Sequence, residues 1–106
     1  MGQFLYDNSR AIEVDDRTLA HLQVVIIDKL RRGESFSLSL SDGKQLAMMW
    51  LSPFTPLQFV YQGSRSARLN RAWIEELATH AGVSGVLNLS PEPPPDSPGV
   101  DETARP

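Results

Sequence analysis

Ser35-Phe36-Ser37-Leu38-Ser39-Leu40-Ser41-Asp42-Gly43-Lys44-Gln45-Leu46-Ala47-Met48-Met49-Trp50-Leu51 decides how this chain folds. From Ser35 to Ser41 hydroxyl and hydrocarbon alternate strictly, the period of a strand with one buried and one polar face. Asp42-Gly43 supplies turn chemistry, and residues 45–51 read as the returning strand of a hairpin. A two-residue turn sets the serine row beside Leu46, Met48 and Trp50. A three-residue turn with Gly43 left-handed instead pairs Leu38 with Leu46 and Phe36 with Met48. The second register matches hydrocarbon with hydrocarbon and is the expected one. It leaves Ala47, Met49 and Leu51 on the outward face, and a one-residue slip would exchange the two faces.

Upstream stands a long apolar helix. Asp15 offers a side-chain oxygen to the free amides of a first turn, Asp16 adds negative charge at the positive end of the dipole, and Arg31 and Arg32 precede Gly33 at the other end. Leu19, Leu22, Ile26 and Leu30 form a stripe widened by Ala20, Val24 and Ile27, while Arg17, His21, Asp28 and Arg32 are expected on the wet side. Further upstream, Gln3-Phe4-Leu5-Tyr6 and Ala11-Ile12-Glu13-Val14 flank the turn formers Asp7-Asn8-Ser9-Arg10 and predict an opening hairpin.

Downstream, Pro53 and Pro56 interrupt the ladder, and Leu57-Gln58-Phe59-Val60-Tyr61 restarts it as a third strand of the same sheet. Asn70 caps a second helix, Leu69 is placed to staple against Ile74, and Trp73, Leu77 and Ala81 continue its stripe to Gly82. Val86-Leu87-Asn88-Leu89 adds a final short strand. The order β-β-α-β-β-β-α-β predicts an α+β domain, one mostly antiparallel sheet with two helices packed on one face.

The 106 residues, 41% hydrophobic and 22% charged, suit one globular domain with one core. Its net charge of −3 resides in the last stretch, where Glu92, Asp96, Asp101 and Glu102 face only Arg105. Nine acids balance nine bases in the body, which lacks the positive surplus usual in nucleic-acid domains. Six of the eight prolines also lie at that end. Residues 1–90 are therefore expected to form the domain and 91–106 a disordered acidic tail. No run reaches the length of a membrane span, no leader precedes Gln3, and the cytoplasm is the expected compartment. Without cysteine, disulfides and thiolate metal sites are excluded.

No constellation of reactive groups stands out. Ser41-Asp42-Gly43-Lys44 has the serine-to-lysine spacing of some acyl-transfer enzymes, but that chemistry needs a helix and these residues read as a hairpin tip. Asp15-Asp16 and Glu75-Glu76 occupy helix starts, where carboxylates serve as caps and dipole partners. His21 and His80 stand alone on separate helices without ligand-spaced neighbours, so no catalytic residue, metal or cofactor is expected.

Two surface features rise above this background. Arg65, Arg68 and Arg71, three apart and ending beside the Asn70 cap, combine guanidinium forks with free helix amides, a combination suited to phosphate oxygens. Ala47, Met49, Leu51 and Val60 form the other, an apolar patch open to a protein partner or a twin subunit.

The stretches from Asp15 to Phe36 and from Leu69 to Leu77 resemble a family of small, uncharacterised actinobacterial proteins, and the resemblance covers nearly residues 1–93. Members of that family are often labelled ATP-dependent DNA ligases or ligase-like, which implies an association with DNA metabolism. Ligation itself needs a Lys-x-Asp-Gly motif whose lysine attacks ATP, whereas this chain has Asp42-Gly43-Lys44 and no phosphate-cradling glycine loop. The expected role is a non-enzymatic binding module, meeting nucleic acid or another phosphate-bearing partner through the arginines, or protein through the sheet. A homodimeric structural module is the alternative, and a small enzyme whose site forms only in the fold is another.

Overall fold

Asp15 starts helix α1 (Asp16–Arg31) by accepting the amide of Thr18 at 3.0 Å, as its place before the first turn requires. The helix stops at Gly33, whose φ of 79° lets the Glu34 amide fold back onto the Lys29 carbonyl at 3.1 Å. Helix α2 (Arg71–Ser84) begins in the same manner, with the Asn70 side chain accepting the amide of Ala72 at 3.1 Å. It runs past Gly82 and ends at Gly85, which takes the left-handed conformation instead. The computed structural model describes residues 1–63 and 68–95.

Six strands complete the order read from the sequence: β1 (Gly2–Tyr6), β2 (Arg10–Val14), β3 (Phe36–Ser41), β4 (Leu46–Leu51), β5 (Leu57–Val60) and β6 (Val86–Asn88). They form two three-stranded sheets where one was expected. β5 does not extend the β3–β4 hairpin; it pairs antiparallel with β1, giving the order β2-β1-β5. β6 pairs with β3 in parallel, giving β4-β3-β6. The prolines flanking Phe54 are what divert the chain from one sheet to the other. Asp7 and Asn8, with φ of 52° and 57°, make the tight turn between β1 and β2, closed by the Ser9 amide on the Tyr6 carbonyl at 3.0 Å.

One core joins both sheets to both helices. α1 packs on α2 and β1, and α2 on β6. Leu19, Leu22 and Ile26 are buried as expected, but the stripe widens toward Thr18, His21, Val25 and Lys29. Val24 and Ile27, placed inside by the sequence reading, are exposed, and His21, placed in water, is fully buried. Leu69, expected to staple against Ile74, is likewise exposed. Gly2 of β1 leaves no room for a side chain between β5 and α1, since a Cβ there would stand 2.6 Å from the Val60 carbonyl oxygen and 2.7 Å from Asp16 Oδ1.

The hairpin register is the main correction. Four residues, Asp42 to Gln45, form the turn: Asp42 Oδ1 accepts the amides of Lys44 and Gln45, both at 2.9 Å, and Gly43 takes a φ of 94°. These two amides hold the Asp42 carboxyl below its ordinary pKa, Gln45 contributing most. The four-residue turn pairs Phe36 with Leu51, Leu38 with Met49 and Leu40 with Ala47, so the odd residues of β4 line the core.

Candidate interaction surface

The same register fixes what β4 shows to solvent. Ser37 lies beside Trp50, Ser39 beside Met48 and Ser41 beside Leu46, and the parallel pairing adds Val86 next to Ser37 and Asn88 next to Ser39. These eight residues share the outer side of the β4-β3-β6 sheet, on which Ser39 is itself buried among its neighbours. Leu46, Met48 and Trp50 are 66%, 58% and 58% exposed, a continuous ridge along one strand. Phe54, on the loop that follows β4, is 92% exposed. Apolar side chains this large, set side by side, are the pattern of a surface that a partner covers.

The ridge occupies an outer strand of its sheet, and the tip of the β1–β2 hairpin reaches it at both ends. The Tyr6 hydroxyl donates to the Trp50 carbonyl at 2.8 Å, and Arg10 Nη2 donates to Gln45 Oε1 at 3.3 Å. The first bond holds the β4 backbone at Trp50, the second holds the Gln45 side chain just before the strand, and neither engages the side chains of Leu46, Met48 or Trp50.

The apolar patch expected from the sequence is not assembled. Met49 and Leu51 are buried and Ala47 partly so, because all three point into the core, while Val60 is exposed on the other sheet, paired with Gln3. An apolar surface does flank the serine row, but it is built from the residues between those named. Both rows of β4 are hydrocarbon, so alternation alone could not distinguish the face that shows from the face that hides.

A second cluster gathers at the starts of the two helices. Arg17 donates from Nε and Nη2 to the two Glu92 oxygens at 2.8 and 2.6 Å, and from Nη1 to the Arg68 carbonyl at 2.8 Å. Asn70 Nδ2 donates to Glu92 Oε2 and to the Pro93 carbonyl, each at 2.9 Å. Arg17 and then Asn70 hold the Glu92 carboxyl down at about 2. Beneath them, the buried His21 ring packs on Trp73 with centroids 4.7 Å apart, and Trp73 Nε1 donates to the Ser90 carbonyl at 3.1 Å. Residues 91–95, read from the sequence as the start of the tail, therefore lie across the helices; residues 96–106 lie outside the described ones.

Of the arginine loop, Arg65 lies outside the described residues, and Arg68 and Arg71 are exposed. Asn70 is buried, its side chain divided between the helix cap and Glu92, so the start of α2 already faces a carboxylate of the chain itself. Nothing in the sequence marked Glu92 as that carboxylate, which comes from 75 positions beyond Arg17.

Other groups weighed for chemistry are likewise engaged. Asp16 accepts the amides of Gly63 and Gln62 at 3.1 and 3.2 Å, and these lower its carboxyl pKa, Gly63 most. Ser41 Oγ accepts the Gly43 amide at 3.1 Å inside the turn. Between the helices runs an open groove of about 400 Å³, bordered by Val24, Ile27, Asp28, Arg31, Ile74 and Ala78. Among the described residues no three His, Cys, Asp or Glu side chains are grouped to hold a metal, and no helix is long and apolar enough to cross a membrane.

Residues 1–92 match the model of a family described as Domain of unknown function (DUF7882). The chain belongs to that family. The match to DUF7882 takes in every strand and both helices and ends at Glu92, the residue that Arg17 and Asn70 clasp. Comparison with curated proteins and with solved structures gave no match.

Proposed function

We propose that this DUF7882 domain is a non-enzymatic interaction module that holds a protein partner on the outer face of the β4-β3-β6 sheet. One observation carries the reading: β4 is apolar on both sides. A strand that only had to close a core needs hydrocarbon on one side, whereas Leu46, Met48 and Trp50 put it on the other as well. Fully burying an exposed side chain of this kind is worth about 1.5–3 kcal/mol, and each of the three has more than half of that still to gain.

Recognition of nucleic acid or another phosphate-bearing partner through Arg65, Arg68 and Arg71 is the weaker reading. The body of the chain is neutral, and Glu92 already presents a carboxylate to Arg17 and Asn70. An association with DNA metabolism, which the ligase-like label of the resembled family implies, would on this reading run through the partner.

A photo-crosslinking amino acid in place of Met48, activated in the cells that make the protein, tests the proposal. One discrete product is expected, lost when Trp50→Asp is added and absent when the crosslinker replaces Glu13. A yield from position 48 no greater than that from position 13 would sink it.

A further inference from the structure

We infer that the clasp at the starts of the two helices is a recognition site for acidic proline-rich segments, that Ser90 to Pro95 are its resident ligand in cis, and that a segment of the same pattern on another protein displaces them. Spacing is the first argument. Pro91, Pro93, Pro94 and Pro95 fix φ, and Ser90, Glu92, Pro93 and Pro94 each stand before a proline, so the segment is held as a left-handed helix of about three residues per turn. The carbonyls of Ser90 and Pro93, one turn apart, therefore share a side. Asn70 and Trp73, three apart at the start of α2, meet them there, with Trp73 Nε1 donating to Ser90 and Asn70 Nδ2 to Pro93. Between these two bonds Arg17 grips the Glu92 carboxylate with two donors. A carbonyl, a carboxylate two residues on and a carbonyl one beyond it are what the clasp reads, on a backbone already stiff enough to present them.

Preorganisation is the second argument. Each donor is held by the body of the domain and not by the segment it binds. The Ala72 amide fixes Asn70 Oδ1, the buried His21 ring packs on Trp73, and Arg17 Nη1 donates to the Arg68 carbonyl, which leaves Nε and Nη2 aimed at the carboxylate. Among the described residues, Asn70 Nδ2 and Trp73 Nε1 donate to Ser90, Glu92 and Pro93 alone. Without that segment a finished set of donors faces outward.

Exchange is the third. Pro91, Glu92, Pro94 and Pro95 are exposed, so the segment buries little hydrocarbon and is held by polar bonds to side chains, the Ser90 hydroxyl on Glu76 among them. Water and other chains make the same bonds. A second copy of this chain offers only a segment that its own clasp already holds, and exchange between copies gains nothing. The ligand is therefore a different protein, competing with a tether whose effective concentration is on the order of millimolar. The clasp lies on the helices, apart from the sheet face proposed above, and its test is separate.

The probe is a fluorescent peptide copying residues 88–95, and its anisotropy is read against the full chain. Two variants open the clasp by different routes: one carries Pro91→Gly, Glu92→Gly and Pro93→Gly together, the other Glu92→Lys. Both should bind the peptide saturably and about tenfold or more tighter than the parent, whose own segment occupies the site. A peptide with glutamine in place of the glutamate should bind them about fivefold weaker, and adding Arg17→Gln should erase that difference. Far-UV circular dichroism establishes that the variants fold, and either opened variant suffices for the test. The inference is overturned if the peptide binds no opened variant, if the parent binds it as tightly, or if the glutamate and glutamine peptides bind alike. It also falls if neither opened variant folds, since the segment is then part of the core structure and not a ligand.

Discussion

Nε2 of His21 accepts the Asn70 amide at 2.7 Å while Nδ1 meets the Arg17 carbonyl at 2.7 Å, a pair of bonds that only the tautomer with its proton on Nδ1 can make. The ring thereby joins α1 to the start of α2 inside the core. Replacing it by phenylalanine keeps the packing on Trp73 and strands a buried amide, which should cost about 1–3 kcal/mol. Urea denaturation of His21→Phe measures that loss, and an unchanged midpoint would show that water reaches Asn70. Glu92 acts one layer farther out. Its carboxyl sits near 2 in the folded chain against an ordinary value of 4.5, so the ion pair with Arg17 stabilises the fold fully above pH 4.5. That contribution fades as the pH falls from 4.5 toward 2, because the unfolded chain takes up the proton first. Thermal melts of the parent and Glu92→Gln should differ at neutral pH and converge across that window. Since Asp16 and Asp42 titrate in both proteins, the difference between the two melts isolates Glu92.

At the scale of elements, the two rows of β4 make opposite forecasts. Met49→Ala opens a void in the core and should cost about 2–5 kcal/mol, while Met48→Ala on the outer row should stay within about 0.5 kcal/mol. Equal losses would mean that the hairpin register is different. That register is also where the sequence stopped being legible. The caps at Asp15 and Asn70 and the turn at Asp7-Asn8 could be read because each depends on bonds spanning two or three residues. The phase of β4 could not, since Leu46, Met48 and Trp50 are as apolar as Ala47, Met49 and Leu51, and pairing hydrocarbon with hydrocarbon gives no preference between the rows. The Asp42 side chain decided it by gathering two amides and lengthening the turn by one residue. α1 presented the same difficulty: Val24, Val25, Ile26 and Ile27 are apolar all round, so the buried side was set by Trp73 and Asn70, distant in sequence, rather than by the run itself.

For the whole molecule, what holds the parts in one body is contact between segments far apart in sequence, and these are what composition hides. The partition into two sheets depends on β5 finding β1, with Phe59 tilted on Phe4 at 5.5 Å between centroids. The proline-rich end reads as too polar to order itself, yet Pro91 to Pro95 need not order themselves: proline has already lost much of the freedom that docking would remove, and Arg17, Asn70 and Trp73 supply fixed partners. The strap should therefore contribute measurably to the fold. A chain ending at Ser90 loses the Glu92 ion pair and both hydrogen bonds of Asn70 Nδ2, whereas a chain ending at Pro95 keeps them. The bond from Asn70 to Pro93 alone is worth about 0.5–1.5 kcal/mol. Calorimetry of the two truncated chains at neutral pH should show the shorter melting several degrees lower, and the gap should narrow as the pH falls below 4.5, because Glu92 is then protonated more readily in the unfolded chain than in the folded one. If the two melt together at neutral pH, the segment from Pro91 to Pro95 is dispensable and the domain ends at Ser90, where its composition first changes.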